Sequence, residues 1–312
     1  LGAAGTYNIN GTPTDGTTSL QQIWTITAPV DGTTKALSLT GSTGTDAVLL
    51  NGGTYVIKAM TGVEFVYLEW GSLTFQSAVT GTTLTHSEGS GITLSSFDDS
   101  VTIGPATLGQ SGFTSWGTID GGSGNDTLTL NGNGATAAAY SISNIENLIG
   151  IVSNMGGAAA TLAAGGQTLT ASGTFTSFTG GSGTDVVTLG SGTNVLGNVS
   201  AVESINGTNG TDTVTYLTSA STTTTLTNVE TVNGGSSVET LTFAGSGSTT
   251  ITGNGGNDTF ALDGTGIHTV RYNALTDGSD TISGFDIGSG GIDILSYNSS
   301  LLSNGGNSTT LQ

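Results

Sequence analysis

A glycine-rich turn, a single aspartate and a short strand of alternating apolar and polar residues recur as one unit along this 312-residue chain. The clearest copies are residues 121–130 (GGSGNDTLTL), 180–189 (GGSGTDVVTL) and 253–262 (GNGGNDTFAL), with looser copies at 41–49 and 206–215. An apolar residue at every second position is typical of a β-strand with one buried face. Because a unit this short cannot bury that face alone, its repetition predicts coils that stack on one another.

A second short element combines an aliphatic residue with a glutamate. Residues 202–205 (VESI) and 229–232 (VETV) match closely, and Glu64 and Glu146 also follow an aliphatic residue. The glutamates of this element, Glu146, Glu203 and Glu230 among them, have two possible placements. Either they face solvent, or they stack into a ladder whose like-charge repulsion would attract a cation.

The spacing of the units predicts the length of a coil. Asp185 and Asp212 are 27 residues apart, and Glu239, which takes the aspartate position in the next unit, follows after another 27. We therefore expect coils of about 27 residues with two or three short strands each. The predicted fold is all-β, with a right-handed parallel β-solenoid or β-roll over residues 117–298. Residues 1–110 have longer and less regular strands, which predicts a β-rich sandwich-like region or a wider solenoid, and residues 299–312 form a C-terminal tail.

Composition limits the expected partners of the chain. It contains 22 acidic residues against three Lys and Arg, for a formal net charge of −19. Nucleic acid and anionic membrane surfaces require many basic side chains, so neither is expected, whereas divalent cations are. No apolar stretch is long enough to span a bilayer, so no membrane insertion is expected. The absence of Cys excludes disulfides and thiolate chemistry, and the low Lys content favours an extracellular location.

The glycine–aspartate unit resembles the calcium-binding nonapeptide of RTX proteins, Gly-Gly-x-Gly-x-Asp-x-aliphatic-x. Residues 280–295 (DTISGFDIGSGGIDIL) are similar to the closing segment of RTX domains. The resemblance implies Ca²⁺ as the cofactor, since inward carbonyls and carboxylates supply the six to eight oxygen ligands that this ion takes. For any single residue, the alternative is a turn side chain that bonds local backbone N–H groups. The implied ligands are Asp46, Asn125, Asp126, Asp185, Asp212, Asn257, Asp258, Asp280, Asp286 and Asp293.

The spacing of the units departs from the tandem repeats of RTX β-rolls. The units stand 19 to 59 residues apart, which favours isolated ions in turns over a continuous column of calcium. Sequences with such a diluted motif are similar to type I-secreted bacterial surface-layer proteins. This resemblance implies calcium-dependent self-assembly into a lattice on the bacterial cell surface.

No motif in the sequence indicates catalysis. His86 and His268 lie far apart, and Asp98 and Asp99 are adjacent, so on a strand they point to opposite faces. The zinc-protease, nucleophile-elbow and phosphate-loop motifs do not occur. We therefore predict a non-enzymatic structural subunit of an extracellular bacterial assembly, either a surface layer or a filament. It is expected to bind copies of itself through β-edges and calcium-bound turns, with cell-surface polysaccharide as a second partner. Two alternatives stay open: a glycan-binding adhesin segment, and the secretion domain of an RTX hydrolase whose catalytic domain lies outside this chain.

Overall fold

A computed structural model describes residues 5–8, 22–27, 34–41, 46–51, 53–68, 71–86, 91–103, 118–131, 140–151, 158–216, 221–263, 265–288 and 292–298. All regular secondary structure in these ranges is β-strand, and no helix is present in them. Accordingly, the described residues contain no helix with the length and apolar character needed to cross a membrane. The boundary predicted between residues 110 and 117 and the predicted tail at 299–312 lie outside the described ranges.

The chain divides into two compact units, residues 1–177 and 178–312. The strands of the first unit, the last of which extends past the division, are β1 (Gly5–Asn8), β2 (Gln22–Thr27), β3 (Lys35–Thr40), β4 (Asp46–Asn51), β5 (Thr54–Thr61), β6 (Phe65–Leu68), β7 (Ser72–Phe75), β8 (Thr80–His86), β9 (Gly91–Thr93), β10 (Ser100–Ile103), β11 (Thr118–Asp120), β12 (Thr127–Asn131), β13 (Tyr140–Ser143), β14 (Asn147–Ile151), β15 (Ala158–Leu162) and β16 (Thr168–Thr179). Odd-numbered strands form sheet A, and even-numbered strands, including the first half of β16, form sheet B.

The second unit repeats this arrangement. Its strands are β17 (Val186–Leu189), β18 (Gly192–Ser200), β19 (Ser204–Asn206), β20 (Gly210–Tyr216), β21 (Thr222–Thr227), β22 (Thr231–Asn233), β23 (Glu239–Ala244), β24 (Thr249–Thr252), β25 (Thr259–Leu262), β26 (His268–Tyr272), β27 (Thr281–Ser283) and β28 (Ile294–Tyr297). Here the odd-numbered strands belong to sheet B and the even-numbered strands to sheet A.

Within each unit a strand pairs in parallel with the strand two positions later, so that one coil contains one strand of each sheet. The hydrogen bonds that join equivalent corners of successive coils most often link residues 18 to 20 apart. Other coils are longer, with 27 residues between Asp99 and Asp126 and 32 between the paired residues Gly5 and Leu37. The predicted coil of 27 residues is therefore wrong for most of the chain. Asp185 pairs at its corner with Glu203, and Asp212 with Asn194, so the interval from Asp185 to Asp212 spans one and a half coils.

The core of each unit consists of aliphatic and aromatic side chains stacked in register. In sheet A of the second unit, Val214 pairs with Val232, Val232 with Ile251 and Ile251 with Val270, and all four are buried. Since parallel strands lie about 4.8 Å apart, such a column keeps its side chains in continuous contact. The predicted all-β parallel solenoid is confirmed.

Candidate calcium-binding corners

Most turns that lead into a strand of sheet B place an acidic residue just before the strand or at its start. We call these residues the corner columns, one in each unit. The first contains Asp46, Glu64, Asp99, Asp126 and Glu146, and the second contains Asp185, Glu203, Glu239, Asp258 and Asp280.

In the first corner column, a carboxylate accepts a hydrogen bond from the backbone of the preceding coil. The Asp46 N–H donates to Glu64 Oε2 at 2.8 Å, and the Asp99 N–H donates to Asp126 Oδ1 at 2.9 Å. The Asp126 N–H in turn donates to Glu146 Oε2 at 2.8 Å. The bonds therefore link consecutive coils and are of the charge-assisted type.

The second corner column repeats this pattern. The Asp185 N–H donates to Glu203 Oε2 at 2.8 Å. The Glu239 N–H donates to Asp258 Oδ1, and the Asp258 N–H to Asp280 Oδ1, both at 2.9 Å. For Glu146 and Glu203 the stacked ladder is thus the observed arrangement, since each accepts the N–H of the aspartate in the coil before it.

The opposite corners of the second unit carry a related column in sheet A. The Asn194 Nδ2 amide donates to Asp212 Oδ1 at 2.8 Å, and the Asp212 N–H donates to Glu230 Oε2 at 2.7 Å. Glu230 is therefore also part of a ladder. Further along, the His268 N–H donates to Asp293 Oδ1 at 2.8 Å.

The contacts between coils explain why a glycine stands five residues before the acid of each glycine-rich turn. A Cβ placed on Gly207 would lie 1.9 Å from the carbonyl oxygen of Asn228 in the next coil and 2.8 Å from Asp212 Oδ2. Asn228 has a left-handed backbone, with φ of 51°, and such a conformation favours Gly or Asn. The equivalent pairs are Gly41 with Gly62, Gly121 with Asn144 and Gly180 with Ala201. The two sequence elements are therefore stacked neighbours that fit each other.

Several corner carboxylates have one oxygen without a partner. Asp126, Asp212, Glu239 and Asp258 are almost fully buried. In each of them one carboxylate oxygen, Oδ2 or for Glu239 Oε1, has no hydrogen-bond partner among the described residues. A buried, ionised carboxylate is costly unless its oxygens are paired, so a cation or a proton at these four atoms would offset the cost of their burial.

Burial and neighbouring negative charge raise the pKa values of several corner carboxyl groups. Burial, followed by the charge of Asp258, raises the pKa of Glu239 to about 8. Burial is also the main cause that raises the pKa of Asp258 and of Asp280. In the first unit, burial and the charge of Asp99 raise the pKa of Asp126 to about 6. These carboxylates therefore bind positive charge more readily in the folded chain than in the unfolded one.

The ten residues predicted as calcium ligands do not form one site. Asp46, Asp126, Asp185, Asp212 and Asp258 occupy buried corners, and Asp293 is also buried. Asn125 and Asn257 are exposed; Asn125 Oδ1 accepts from Asn147 Nδ2, and Asn257 Oδ1 accepts the Ser279 N–H. Asp280 is half-buried, and the exposed Asp286 has its N–H bonded to Asp293 Oδ2. No cluster of three or more metal-ligating side chains occurs in the described part of the chain.

Glycine-rich turns follow each other directly at residues 234–239 and 253–258. There Glu239, Asp258 and Asp280 are joined through successive backbone N–H groups, and two of their buried oxygens, Glu239 Oε1 and Asp258 Oδ2, are unpartnered. Calcium prefers carboxylate and carbonyl oxygens and completes its coordination with backbone groups or water. Elsewhere in the columns, the glycine-rich turns stack on turns of other kinds, such as the aliphatic–glutamate turns at Glu64, Glu146 and Glu203.

Three polar residues at the corners belong to no motif that could be recognised in the sequence: Asn194, Thr249 and His268. All three are buried. The signal that could have revealed them is the residue number: corner residues follow one another at intervals of nine or ten in the run Asp185, Asn194, Glu203, Asp212 and again in the run Glu230, Glu239, Thr249, Asp258, His268. This interval is one half-coil and equals the length of the nonapeptide unit.

Comparisons of the chain with protein-family models, with curated proteins and with solved structures find no match.

Proposed function

We propose that this chain is a structural, non-enzymatic subunit of a calcium-dependent assembly on the bacterial cell surface, a surface layer or a filament. The observation that supports the calcium dependence is the set of buried corner carboxylates with unpartnered oxygens at Asp126, Asp212, Glu239 and Asp258. The similarity of the glycine–aspartate units to RTX nonapeptides supports type I secretion and the extracellular location.

In this proposal calcium acts on the stacking of the coils. Glu239 and Asp258 hold the ion together with backbone carbonyl oxygens of the two glycine-rich turns. The ion supplies the positive charge that these two buried carboxylates lack, and it thereby joins two successive coils. For one site with a dissociation constant near 10⁻⁴ M in about 1 mM calcium, the gain in unfolding free energy is about 1.4 kcal/mol.

The experiment that tests calcium binding compares thermal unfolding in 1 mM calcium and in EDTA for the native chain and for Glu239→Gln. We expect calcium to raise the native melting temperature by about 3–5 °C per site for a unit of this size. Glu239→Gln removes the cost of burying this carboxyl group, so it is expected to melt higher than the native chain in EDTA and to lose most of the gain from calcium.

Asp263→Asn is the matched control, because Asp263 is an exposed acid of the same unit outside both columns. It should keep the full calcium response. A native chain that melts at the same temperature in calcium and in EDTA, and that shows no heat of calcium binding by titration calorimetry, would refute the calcium dependence.

A further inference from the structure

The last coil of the second unit, residues 273–298, has two open strand edges. Strand β27 in sheet B pairs with β25, and strand β28 in sheet A pairs with β26. Among the described strands neither has a partner on its other side, whereas β25 and β26 are each paired on both sides. The unpaired N–H and C=O groups of an edge strand are a template for pairing with another strand. The chemistry of this end therefore favours a β-strand as its partner over a small molecule or a sugar.

The apolar core is also open at this end of the unit. In sheet A the core column passes from the buried Val270 to Leu295, which is only half-buried. In sheet B the buried Phe260 is followed in the same way by the half-buried Ile282. Because apolar groups gain free energy when they leave water, a further layer of strands would stabilise the end of the core.

Exposed apolar side chains are concentrated in the same coil. Nine large apolar side chains are exposed among the described residues, and five of them belong to this coil: Leu275, Ile287, Ile292, Ile294 and Tyr297. The Tyr297 ring stacks on that of Tyr272 in the coil before it, with the ring centroids 5.7 Å apart. Of the four acidic residues in the coil, only Asp286 is exposed. The last coil thus combines two open edges with an apolar surface of low charge, and such a surface is typical of a contact between proteins.

We propose that the last coils of two copies of this chain pack end to end around a two-fold axis, with β28 of each copy paired to β27 of the other. This inference rests on the proposed function, because it names one contact of the proposed assembly. Strand β28 lies half a coil beyond β27, and a copy turned over by a two-fold axis presents the same offset in reverse. Both edges can therefore pair, in antiparallel direction, at the ordinary spacing between strands. In a two-fold contact each patch meets itself, so the apolar side chains of the two copies also come together.

The size of the open end suits a contact between two copies. The last coil comprises 26 residues with its turns, from 273 to 298, and a standard interface takes about 20–30 residues from each partner. A second copy supplies both missing edges at once and covers the exposed side chains with side chains of the same kind. Its last coil is therefore the occupant that matches the whole surface.

Crosslinking between introduced cysteines tests the strand pairing directly, because the chain contains no Cys. Ser283 is an exposed residue of β27, and Ser296 of β28 is paired with the exposed Arg271 in sheet A. Within one chain these two serines lie in opposite sheets, whereas in the proposed dimer Ser283 of one copy lies on the same side as Ser296 of the other. The double variant Ser283→Cys with Ser296→Cys, treated with a short bismaleimide, should give covalent dimers. Each single variant should not, because its two cysteines lie on opposite sides of the dimer.

Lysines placed on the apolar surface test the contact in solution. Ile292→Lys with Tyr297→Lys brings charge to the open end, where lysine opposes strand pairing. The matched control is Ile151→Lys with Ile267→Lys, at two exposed apolar positions outside the last coil. Sedimentation velocity measures the monomer–dimer dissociation constant, since a dimer has twice the 30.7 kDa mass of one chain. We expect this constant to rise at least tenfold for the end variant and to stay within threefold of the native value for the control. Circular dichroism should show that both variants keep the native spectrum.

The outcomes separate this inference from the proposed function. An unchanged dissociation constant for the end variant, or covalent dimers from a single cysteine variant, would overturn the inference and leave the calcium dependence intact. A native chain that stays monomeric at all concentrations would also overturn it; protection of the β27 and β28 edges from hydrogen exchange in that monomer would assign the edges to other residues of the same chain. Dimers that crosslink as proposed but do not respond to calcium would support the inference and refute the calcium dependence.

Discussion

Gly207 provides the sharpest test of the contact between successive coils. A Cβ placed on it would lie 1.9 Å from the carbonyl oxygen of Asn228, whereas real Cβ atoms stay beyond about 3.0 Å. The Gly207 N–H also donates to the Thr227 carbonyl oxygen at 2.7 Å, which holds the two coils together at this point. Because the obstacle is backbone, a rotamer change cannot relieve it. Gly207→Ala must separate the coils by at least about 1 Å.

The cost of this separation follows from two terms. Overpacking in a close-packed interior costs about 1–3 kcal/mol, and the lost hydrogen bond adds about 1 kcal/mol. We therefore expect Gly207→Ala to lower the free energy of unfolding by about 3 kcal/mol. For a unit of this size, the melting temperature should fall by about 10 °C.

Urea unfolding followed by circular dichroism measures this loss, with Gly255→Ala as the control. A Cβ on Gly255 would find its nearest neighbours at 3.5 Å, and the residue lies in a turn of the same glycine-rich type. It should stay within about 0.5 kcal/mol of the native chain, or gain slightly because alanine restricts the unfolded state. Equal stabilities for the two variants would refute the explanation of the glycine–aspartate spacing by contact between coils.

Three further predictions concern the backbone and the titrating groups. Ala201 has a left-handed backbone with φ of 51°, so Ala201→Gly should raise the unfolding free energy by up to about 1 kcal/mol, while Ala261→Gly in strand β25 should lower it; urea melts measure both. In EDTA, stability should fall as the pH rises from 6.5 to 8 and level off above, because the raised pKa of Glu239, about 8, means that the folded chain holds a proton which the unfolded chain has already released; Glu239→Gln should flatten this decline, and an unchanged slope would contradict it. Burial lowers the pKa of His268 below 6.5, and neither ring nitrogen has a hydrogen-bond partner among the described residues. The free energy of unfolding should therefore fall as the pH drops below about 6.5. His268→Leu should remove this loss of stability at low pH, as measured by melts at pH 5 and 7.

The fold could be predicted because its strands and turns are marked locally. Alternating residues such as those of β12 and β25 specify strands, and a glycine five residues before an acid marks each glycine-rich turn. The coil length could not be read from the same residues, because Asp185 and Asp212 look alike in sequence but lie at opposite corners of the solenoid. The interval of nine or ten residues between corners could not be recognised where Asn194, Thr249 or His268 takes the place of an acid at a corner.

The burial and the hydrogen bonds of the corner carboxylates could not be predicted, because both depend on which coil lies next to each carboxylate. Asp126 and Asn125 are adjacent in a turn, yet Asp126 is buried and bonded to the coil before it, while Asn125 is exposed. Likewise, Glu239 resembles any exposed glutamate in sequence. It becomes a buried group with an unpartnered oxygen only because Asp258 stacks beside it.

The acidity of the second unit has a consequence for assembly. The unit carries eleven acidic residues against one basic residue, and the repulsion between two such units is screened only over about 8–10 Å at physiological salt. Calcium at Glu239 and Asp258 would therefore act twice, since it joins the coils and also reduces the repulsion between two units. Monovalent salt can supply the second effect but not the first. Assembly in EDTA should thus be partly restored by 0.5 M NaCl if the unit stays folded, whereas the calcium-dependent part of the melting temperature should not return; a sedimentation series in both buffers, with melting curves on the same samples, separates the two effects.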